Sequence, residues 1–357
     1  MEANLPISVV IPSFNHAAYI SESIESILSQ SSKASEIIVV DDYSTDQTLN
    51  VLGKYSQHIK IIPLPSNQGA ADATNIGIRN SSNPFVAILN SDDCWTANKL
   101  ELQFDYMRSS DLQICFTTAN IIDANSKIVS NYPPQFDVFS RVSPTNNSFL
   151  FHFFYFGNFL CHPSLLIQKD IYERFGYYSN KFRQLPDLER WIDFAKKSQI
   201  GILNEKLVNF RWNDEVNTSS QKDTKSYIRT QNEHFPLYLS FFENITDLEI
   251  RGIFASEIER LDDDLQGIAK FDPGTALLLG HPEKSVKYQT TLAGYLRLMM
   301  KIQDPTLDKK TQEIASSFQV KMIEDKLENL YSSNSNNLKL KKLAHPILRN
   351  LLRRILG

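Results

Sequence analysis

Four short apolar runs, separated by segments of helical period, constrain the first hundred residues of this chain more than any other feature. Ile7–Ile11 (ISVVI), Ile37–Val40 (IIVV), Ile59–Ile62 (IKII) and Phe85–Leu89 (FVAIL) read as strands. Runs this short and this continuous suit strands covered on both faces. Between them, Ile20, Ile24, Ile27 and Leu28 recur at helical spacing, and Ser44 and Gln47 form a candidate capping box ahead of Leu49 and Leu52. A third helix is expected after Gly69. Strand–helix alternation of this kind predicts an α/β fold: a doubly wound, mostly parallel sheet flanked by helices.

Open parallel sheets bind ligands outside the carboxyl ends of their strands. Here those ends read Pro12-Ser13-Phe14-Asn15, Asp41-Asp42, Ser66-Asn67 and Asn90-Ser91-Asp92-Asp93. The glycine patterns of dinucleotide-binding and P-loop folds are absent from the sequence, so a glycine-rich phosphate cradle is not expected. Four carboxylates at one edge would repel a bare phosphate, by roughly 4 kcal/mol for two like charges about 4 Å apart at an effective dielectric of 20. A divalent cation reverses that sign. Mg²⁺ or Mn²⁺ is suited by one or two carboxylates together with substrate phosphate oxygens and water. A solvated acidic turn is the plainer alternative for either pair alone.

The 357 residues allow one large domain with additions, and 42% hydrophobic residues at a net charge of −4 give no basic excess for nucleic acid. Three widely spaced cysteines, Cys94, Cys115 and Cys161, show no metal pattern and fit a reducing cytoplasm. The opening MEANLPISVVIP lacks a basic segment before its apolar run, so a signal peptide is not expected, and no apolar stretch is long enough to span a bilayer. The protein is expected in the cytoplasm.

ISVVIPSFN, EIIVVDDYSTDQT, NQGAADATNIGI and AILNSDDCW, in this order, resemble the nucleotide-binding half of family 2 glycosyltransferases of the GT-A fold, bacterial-type inverting sugar transferases. The resemblance covers about residues 5–215. It implies that Pro12, Phe14 and Asn15 line the base and ribose pocket and that Asp42 accepts a hydrogen bond from the nucleobase. Asn67 and Gly69 would lie beside the nucleotide, and Asn90 would bond a ribose hydroxyl. Asp92 and Asp93 fall on the acidic metal-and-ribose motif, either being a candidate metal ligand. LPDLERWIDF resembles the family's loop-and-helix signature, with Asp187 at the position of the general base and Glu189 on the same turn as a substrate contact. A carboxylate there can take the proton of an attacking acceptor hydroxyl; the plainer reading of Asp187 is a helix N-cap. FRWNDEVNTSS resembles a segment that often reads Arg-x-His, which makes Arg211 a candidate contact to the substrate.

The departures are specific. The family often has an acid at Asn90, an arginine at Thr74, a glutamate at Pro186 and a histidine at Asn213, so the strength of metal binding is the property they affect. Two other classes compete with an enzyme of this family: a non-catalytic sugar-nucleotide-binding subunit, and a nucleotidyltransferase. The second would want a lysine- and glycine-rich loop near the first strand, and PSFNHAAYI is not one.

Beyond the nucleotide half, Ile114–Thr118 reads as a strand, with a hairpin about Asp123–Lys127. SFLFHFFYFGNFL is an aromatic block expected to be core and acceptor-site packing rather than a membrane-dipping lid, and His162 is expected to be a satisfied polar group. The expected organisation is a glycosyltransferase domain over 1–225, divided into a nucleotide-sugar half (1–119) and an acceptor half (120–225). A helical region follows over 226–331, then a linker and basic amphipathic tail over 332–357. In the tail, Leu340, Ala344, Ile347, Leu348, Leu351 and Ile355 share one face and Lys339, Lys342, Arg349 and Arg353 the other. That pattern suits peripheral contact with an anionic membrane surface at the inner face of the cell membrane, or docking in a homo-oligomer supported by the Val320–Leu330 stripe. The expected partners are a nucleotide-diphosphate sugar such as a UDP-sugar, and a hydroxyl of a glycan or lipid-linked glycan, with no nucleic acid.

Overall fold

The computed structural model describes residues 4–130, 139, 146–212 and 224–302. Asn213, the Val320–Leu330 stripe and the basic tail lie outside them. The described residues fall into two compact units, 4–233 with 243–245, and 234–242 with 246–302.

The first unit holds one sheet of eight strands. Its elements run β1 (Leu5–Ser13), α1 (Ile20–Leu28), β2 (Ala34–Asp41), α2 (Thr48–Gly53), β3 (Lys60–Pro63), α3 (Ala70–Arg79) and β4 (Phe85–Ile88). There follow β5 (Cys94–Trp95), α4 (Lys99–Ser109), β6 (Ile114–Ile122), α5 (Asn146–Phe156), β7 (Leu166–Gln168), α6 (Asp170–Phe175), α7 (Pro186–Ala195) and β8 (Ile200–Arg211). Helix α8 (Thr224–Ser240) comes next. The sheet order is β3-β2-β1-β4-β7-β6-β8-β5. β3, β2, β1 and β4 are parallel neighbours, as are β6 and β8, while β7 and β5 pair antiparallel. The chain is thus the α/β protein its alternation predicts, with a parallel-dominated sheet.

Each apolar run is continuous because both faces of the sheet are covered. Val9, Ile11 and Val39 join the cluster that includes Ile20, Ile24 and Ile27 of α1. Ile38 and Val40, on the opposite face of β2, pack with Ala73 of α3. Helix α3 lies so close to the sheet that a Cβ at Gly77 would come within 2.3 Å of Val10 Cγ1. Only glycine fits there without repacking.

The capping box at Ser44 and Gln47 is not formed. Asp46 instead takes both the N–H and the hydroxyl of Thr48 at the start of α2, at 2.9 and 2.5 Å. Ser44 faces the other way, its hydroxyl accepting from the Asn15 N–H at 2.9 Å. The hairpin is present, with Asp123 N–H donating to the Lys127 carbonyl at 2.9 Å. The aromatic block forms α5, and Phe149, Phe153 and Phe154 are buried in the core.

The second unit continues with helices α9 (Asp247–Ile253), α10 (Ala255–Glu259), α11 (Asp263–Ala269), α12 (Pro273–Gly280) and α13 (Lys287–Ile302). Leu265, Ile268, Ala276, Leu279 and Leu298 form its core. Asp262 and Asp272 cap α11 and α12 through the N–H groups of Leu265 and Thr275, both at 2.9 Å. Among the described residues, no helix is long and apolar enough to cross a membrane.

Candidate active site

The acidic turn at residues 90–93 links the end of β4 to β5, and β5 pairs with the end of β8. Its two acids have separate lives. Asp93 is 1% exposed, and both its oxygens are engaged: Oδ1 accepts from the Arg211 N–H at 2.7 Å and Oδ2 from Asn90 Nδ2 at 2.9 Å. Burial, reinforced by the adjacent Asp92 charge, pushes its carboxyl well above the usual range. Asp92 is only half-buried, and among the described residues no donor is seen on its carboxylate.

Arg211 is placed as a strut within the protein. Its side chain is 2% exposed. Nε donates to the Asp92 carbonyl at 2.7 Å and Nη1 to the Asp123 carbonyl at 2.8 Å. Nη2 bonds Glu22 Oε2 at 2.5 Å, both Nη atoms reach the Ser126 hydroxyl at 3.0 and 3.1 Å, and the guanidinium lies 4.6 Å from the centre of the Tyr19 ring. The planar fork thus ties α1, the 123–127 hairpin and the acidic turn to β8.

Asn90 has partners within the protein on both its amide atoms. While Nδ2 serves Asp93, Oδ1 lies 3.3 Å from His162 Nδ1. His162 Nε2 is 3.1 Å from the Tyr178 hydroxyl, which is 3.3 Å from that of Tyr172. Burial pushes the imidazole down to about 4, so it is neutral at pH 7. An Nδ1–H donating to Asn90 and an Nε2 accepting from Tyr178 satisfy every member of the row. His162 is therefore the satisfied polar group its sequence context suggested. An acid at position 90 would meet Asp93 at hydrogen-bond distance, and the amide avoids that repulsion.

The second acid pair also divides. Asp42 is buried, and its oxygens accept from the N–H groups of Gln68 and Gly69 at 2.6 and 2.8 Å. Asn67 Nδ2 donates to the Asp42 carbonyl at 3.2 Å. Its carboxylate fastens the loop ahead of α3. Gly69 supplies the matching backbone, φ 95° and ψ 156°, a region open almost only to glycine. Asp41 is the acid left open. It is fully buried at the end of β2, and Oδ2 accepts from the Ser44 N–H at 3.0 Å while Oδ1 has no partner.

Around β1, Pro12 and Phe14 are half-buried and Asn15 is exposed at φ 55°. Asn15 Oδ1 accepts from the Thr45 N–H at 2.8 Å, joining the loops after β1 and β2. His16 Nδ1 lies 2.6 Å from the Ser91 hydroxyl, inside the acidic turn, and its buried Nε2 has no partner. Thr74, where the family's arginine is missing, is buried and bonds the Ala70 carbonyl at 2.7 Å.

Asp187 occupies the second position of α7, after Pro186, so it is not the N-cap. Oδ1 accepts from the Leu188 N–H at 2.8 Å and Oδ2 from Asn158 Nδ2 at 2.7 Å. The carboxyl is half-buried, and desolvation pushes it up to about 6. Glu189 is also half-buried and is paired to Arg190 Nε at 3.1 Å. The backbone leading into α7 is held by Glu233 of α8. Its carboxylate accepts from the N–H groups of Arg183, Gln184 and Leu185 at 2.9, 2.8 and 3.0 Å. A carboxylate at those donors is well placed at a helix N-terminus.

The sequence singled out none of Asn158, His16 and Glu233 as candidates, and named Asp41 only together with Asp42 at the end of its strand. Asp41 and Asp42 are adjacent acids, and only the fold tells them apart. Asn158 had a signal, an amide closing an aromatic run straight after Gly157. Glu233 had none.

Residues 8–175 match the sequence profile of glycosyl transferase family 2. The chain carries a family 2 glycosyltransferase domain. Over 114 residues it is 39% identical to the putative teichuronic acid biosynthesis glycosyltransferase TuaG of Bacillus subtilis, covering 31% of this chain and 45% of TuaG. Over 130 residues it is 37% identical to Escherichia coli WfgD, a UDP-Glc:alpha-D-GlcNAc-diphosphoundecaprenol beta-1,3-glucosyltransferase, covering 36% of this chain and 51% of WfgD. The matches therefore span about half the length of these two relatives. An uncharacterized glycosyltransferase of Rickettsia prowazekii is 28% identical over 260 residues, 72% of this chain and 78% of its own length. In fold, the chain resembles S. aureus TarS 1–349 in complex with UDP-GlcNAc, with a TM-score of 0.55 and 16% identity over 88% of this chain and 91% of that one.

Proposed function

We propose that this protein transfers a sugar from a nucleotide-diphosphate donor to a hydroxyl of a glycan or lipid-linked glycan, with inversion at the anomeric carbon. Asp187 is the general base. The observation that carries the reading is its setting: a half-buried carboxyl at the start of α7, pushed up to about 6 and so mostly ionised at neutral pH. Proton acceptance by such a group, as the acceptor oxygen attacks, is worth about 10²–10⁴-fold in rate. One displacement by one activated oxygen inverts the centre it attacks. UDP is the favoured nucleotide, supported by the UDP-GlcNAc bound to TarS and by the UDP-Glc in the name of WfgD.

Asp41 Oδ1 is the proposed acceptor for a nucleobase imide N–H, in place of Asp42. A buried oxygen without a partner is costly until a ligand donor reaches it. Asp41→Asn keeps the shape and the acceptor for Ser44 N–H but turns an N–H₂ toward the ligand. Isothermal titration with UDP should show affinity lowered about tenfold or more. Unchanged affinity would exclude Asp41 from the base pocket.

Mn²⁺ or Mg²⁺ fits this edge in a limited way. Among the described residues, no cluster of three or more His, Cys, Asp or Glu side chains forms a protein-only site. Asp92 would hold the ion, since Asp93 is already engaged by Arg211 and Asn90. Ions of this kind often take one or two carboxylates and complete their shell with substrate phosphate and water. When bound, the cation neutralises charge on the leaving diphosphate. Metal affinity should therefore depend on nucleotide: Mn²⁺ titrated alone should bind at least tenfold more weakly than Mn²⁺ titrated with UDP, and Asp92→Asn should remove the difference. Equal Mn²⁺ affinity with and without UDP would refute the shared site.

The direct test of the function is a screen of nucleotide sugars and acceptors, with Mn²⁺ or with EDTA, reading nucleoside diphosphate release. Release from at least one donor, lost in EDTA, is expected. Donor binding without release across acceptors would mark a binding subunit instead.

A further inference from the structure

We propose that Asn158 is a positioning residue for Asp187, and that the aromatic helix α5 exists in part to hold its amide against that carboxylate. The proposal rests on the reading of Asp187 as the general base. Phe149, Phe153 and Phe154 bury one side of α5, and Phe159 beyond it stacks on Phe149 with ring centres 5.8 Å apart. The chain leaves the helix through Gly157 at φ 72°, a left-handed position that reverses its course. Asn158 thus stands between two anchored aromatic stretches. Its amide orientation is fixed as well, because Oδ1 accepts from the Leu160 N–H at 3.0 Å. Nδ2 is then directed at Asp187 Oδ2, 2.7 Å away.

The bond has two consequences for a base. It fixes the rotation of the carboxyl, with Leu188 N–H on the other oxygen, and leaves lone pairs on Oδ2 for an incoming hydroxyl. It also stabilises the ionised form against desolvation. Other titratable groups lie on α7 and on the elements packed against it, among them Asp170, Tyr172, Glu173 and Arg174 of α6. On α7 there are Glu189 and Arg190, the latter paired to Glu189 and Asp193. Tyr178, before α7, feels the Asp187 charge. Helix α5, packed against α7, carries His152 and Tyr155 as its only titratable groups over its described length. Glu233 holds the backbone before α7. Asn158 is the side-chain donor to the carboxylate.

The test is the carboxyl ¹³C titration of Asp187 in the full chain, alongside the pH profile of kcat/KM for donor hydrolysis or transfer. Asn158→Asp and Asn158→Ser are the variants. Both should raise the proton affinity of Asp187 by about tenfold, one pH unit, with Asp the larger because it sets a second carboxylate beside the first. The acid limb should move up with it, while UDP affinity stays within twofold. An Asp187 titration that coincides with the native one in both variants overturns the proposal, as does a change confined to UDP affinity. Asp187→Asn is the control for the underlying reading: if it keeps native turnover the base assignment falls, whatever Asn158 does to the titration.

Discussion

Asp187→Asn is expected to lower kcat about 10²–10⁴-fold while leaving UDP affinity within twofold. The substitution is isosteric, and an amide oxygen can still take the Leu188 N–H. The variant loses the ability to accept a proton from the acceptor hydroxyl, and its single amide oxygen can keep only one of the bonds from Leu188 N–H and Asn158 Nδ2. In the native protein the acid limb of the rate profile should fall near pH 6, where Asp187 protonates. The variant should lack that limb. Stability should move the other way. Burial raises the folded carboxyl from 3.8 to about 6, so the native state binds the proton more tightly than the unfolded chain. Unfolding free energy therefore falls as pH rises from about 4 to about 6. The Asn variant has no such titration, so its urea midpoint should change less between about pH 4 and about pH 7.5 than that of the native protein. A variant that turns over normally, measured by nucleoside diphosphate release, would remove Asp187 from the mechanism.

Arg211→Met should destabilise the first unit by about 3–5 kcal/mol, the range for breaking a buried charged cluster from one side. The methionine roughly fills the stem volume, so the effect isolates the guanidinium. Removing it deprives the carbonyls of Asp92 and Asp123 and the Glu22 carboxylate of a donor together. Lysine should not rescue the loss, because one ammonium cannot reproduce a fork that bonds in three directions. Urea unfolding followed by intrinsic tryptophan fluorescence reads the change, since Trp95 lies within the affected turn's strand. A drop below 1 kcal/mol would mean the cluster is dispensable.

Much of the fold was legible in residues 5–119 because burial on both faces makes strands conspicuous, and glycine and acid pairs punctuate their ends. The same pattern identified the edge that carries the candidate site. It could not divide labour within an acid pair. Asp41 and Asp42 look alike in sequence, yet one fastens the loop ahead of α3 and the other ends the buried strand with an oxygen free. Asp92 and Asp93 divide in the same way, because the turn between β4 and β5 points Asp93 at the Arg211 N–H and Asn90 and leaves Asp92 half-buried. Arg211 was a candidate substrate contact because its segment resembles the family's Arg-x-His pattern. Its burial, and the hairpin that supplies two of its acceptors, are long-range facts. The aromatic block showed its packing role by composition, but not the amide it carries to Asp187.

The Glu233 carboxylate reaches back 48–50 residues to hold the peptide groups ahead of α7. That span has a bearing on how members of the family can exchange parts. A crossover placed at residue 175, where the family match ends, hands the recipient a new base loop and its new anchor together. A crossover between residues 185 and 233 separates them, joining one parent's loop to another parent's carboxylate. Recombinants of the first kind should keep the loop ahead of α7 and its anchor as one block. Those of the second kind should fold around a loop whose three N–H groups depend on a stranger's side chain, so the permitted seams in this domain lie on either side of that interval.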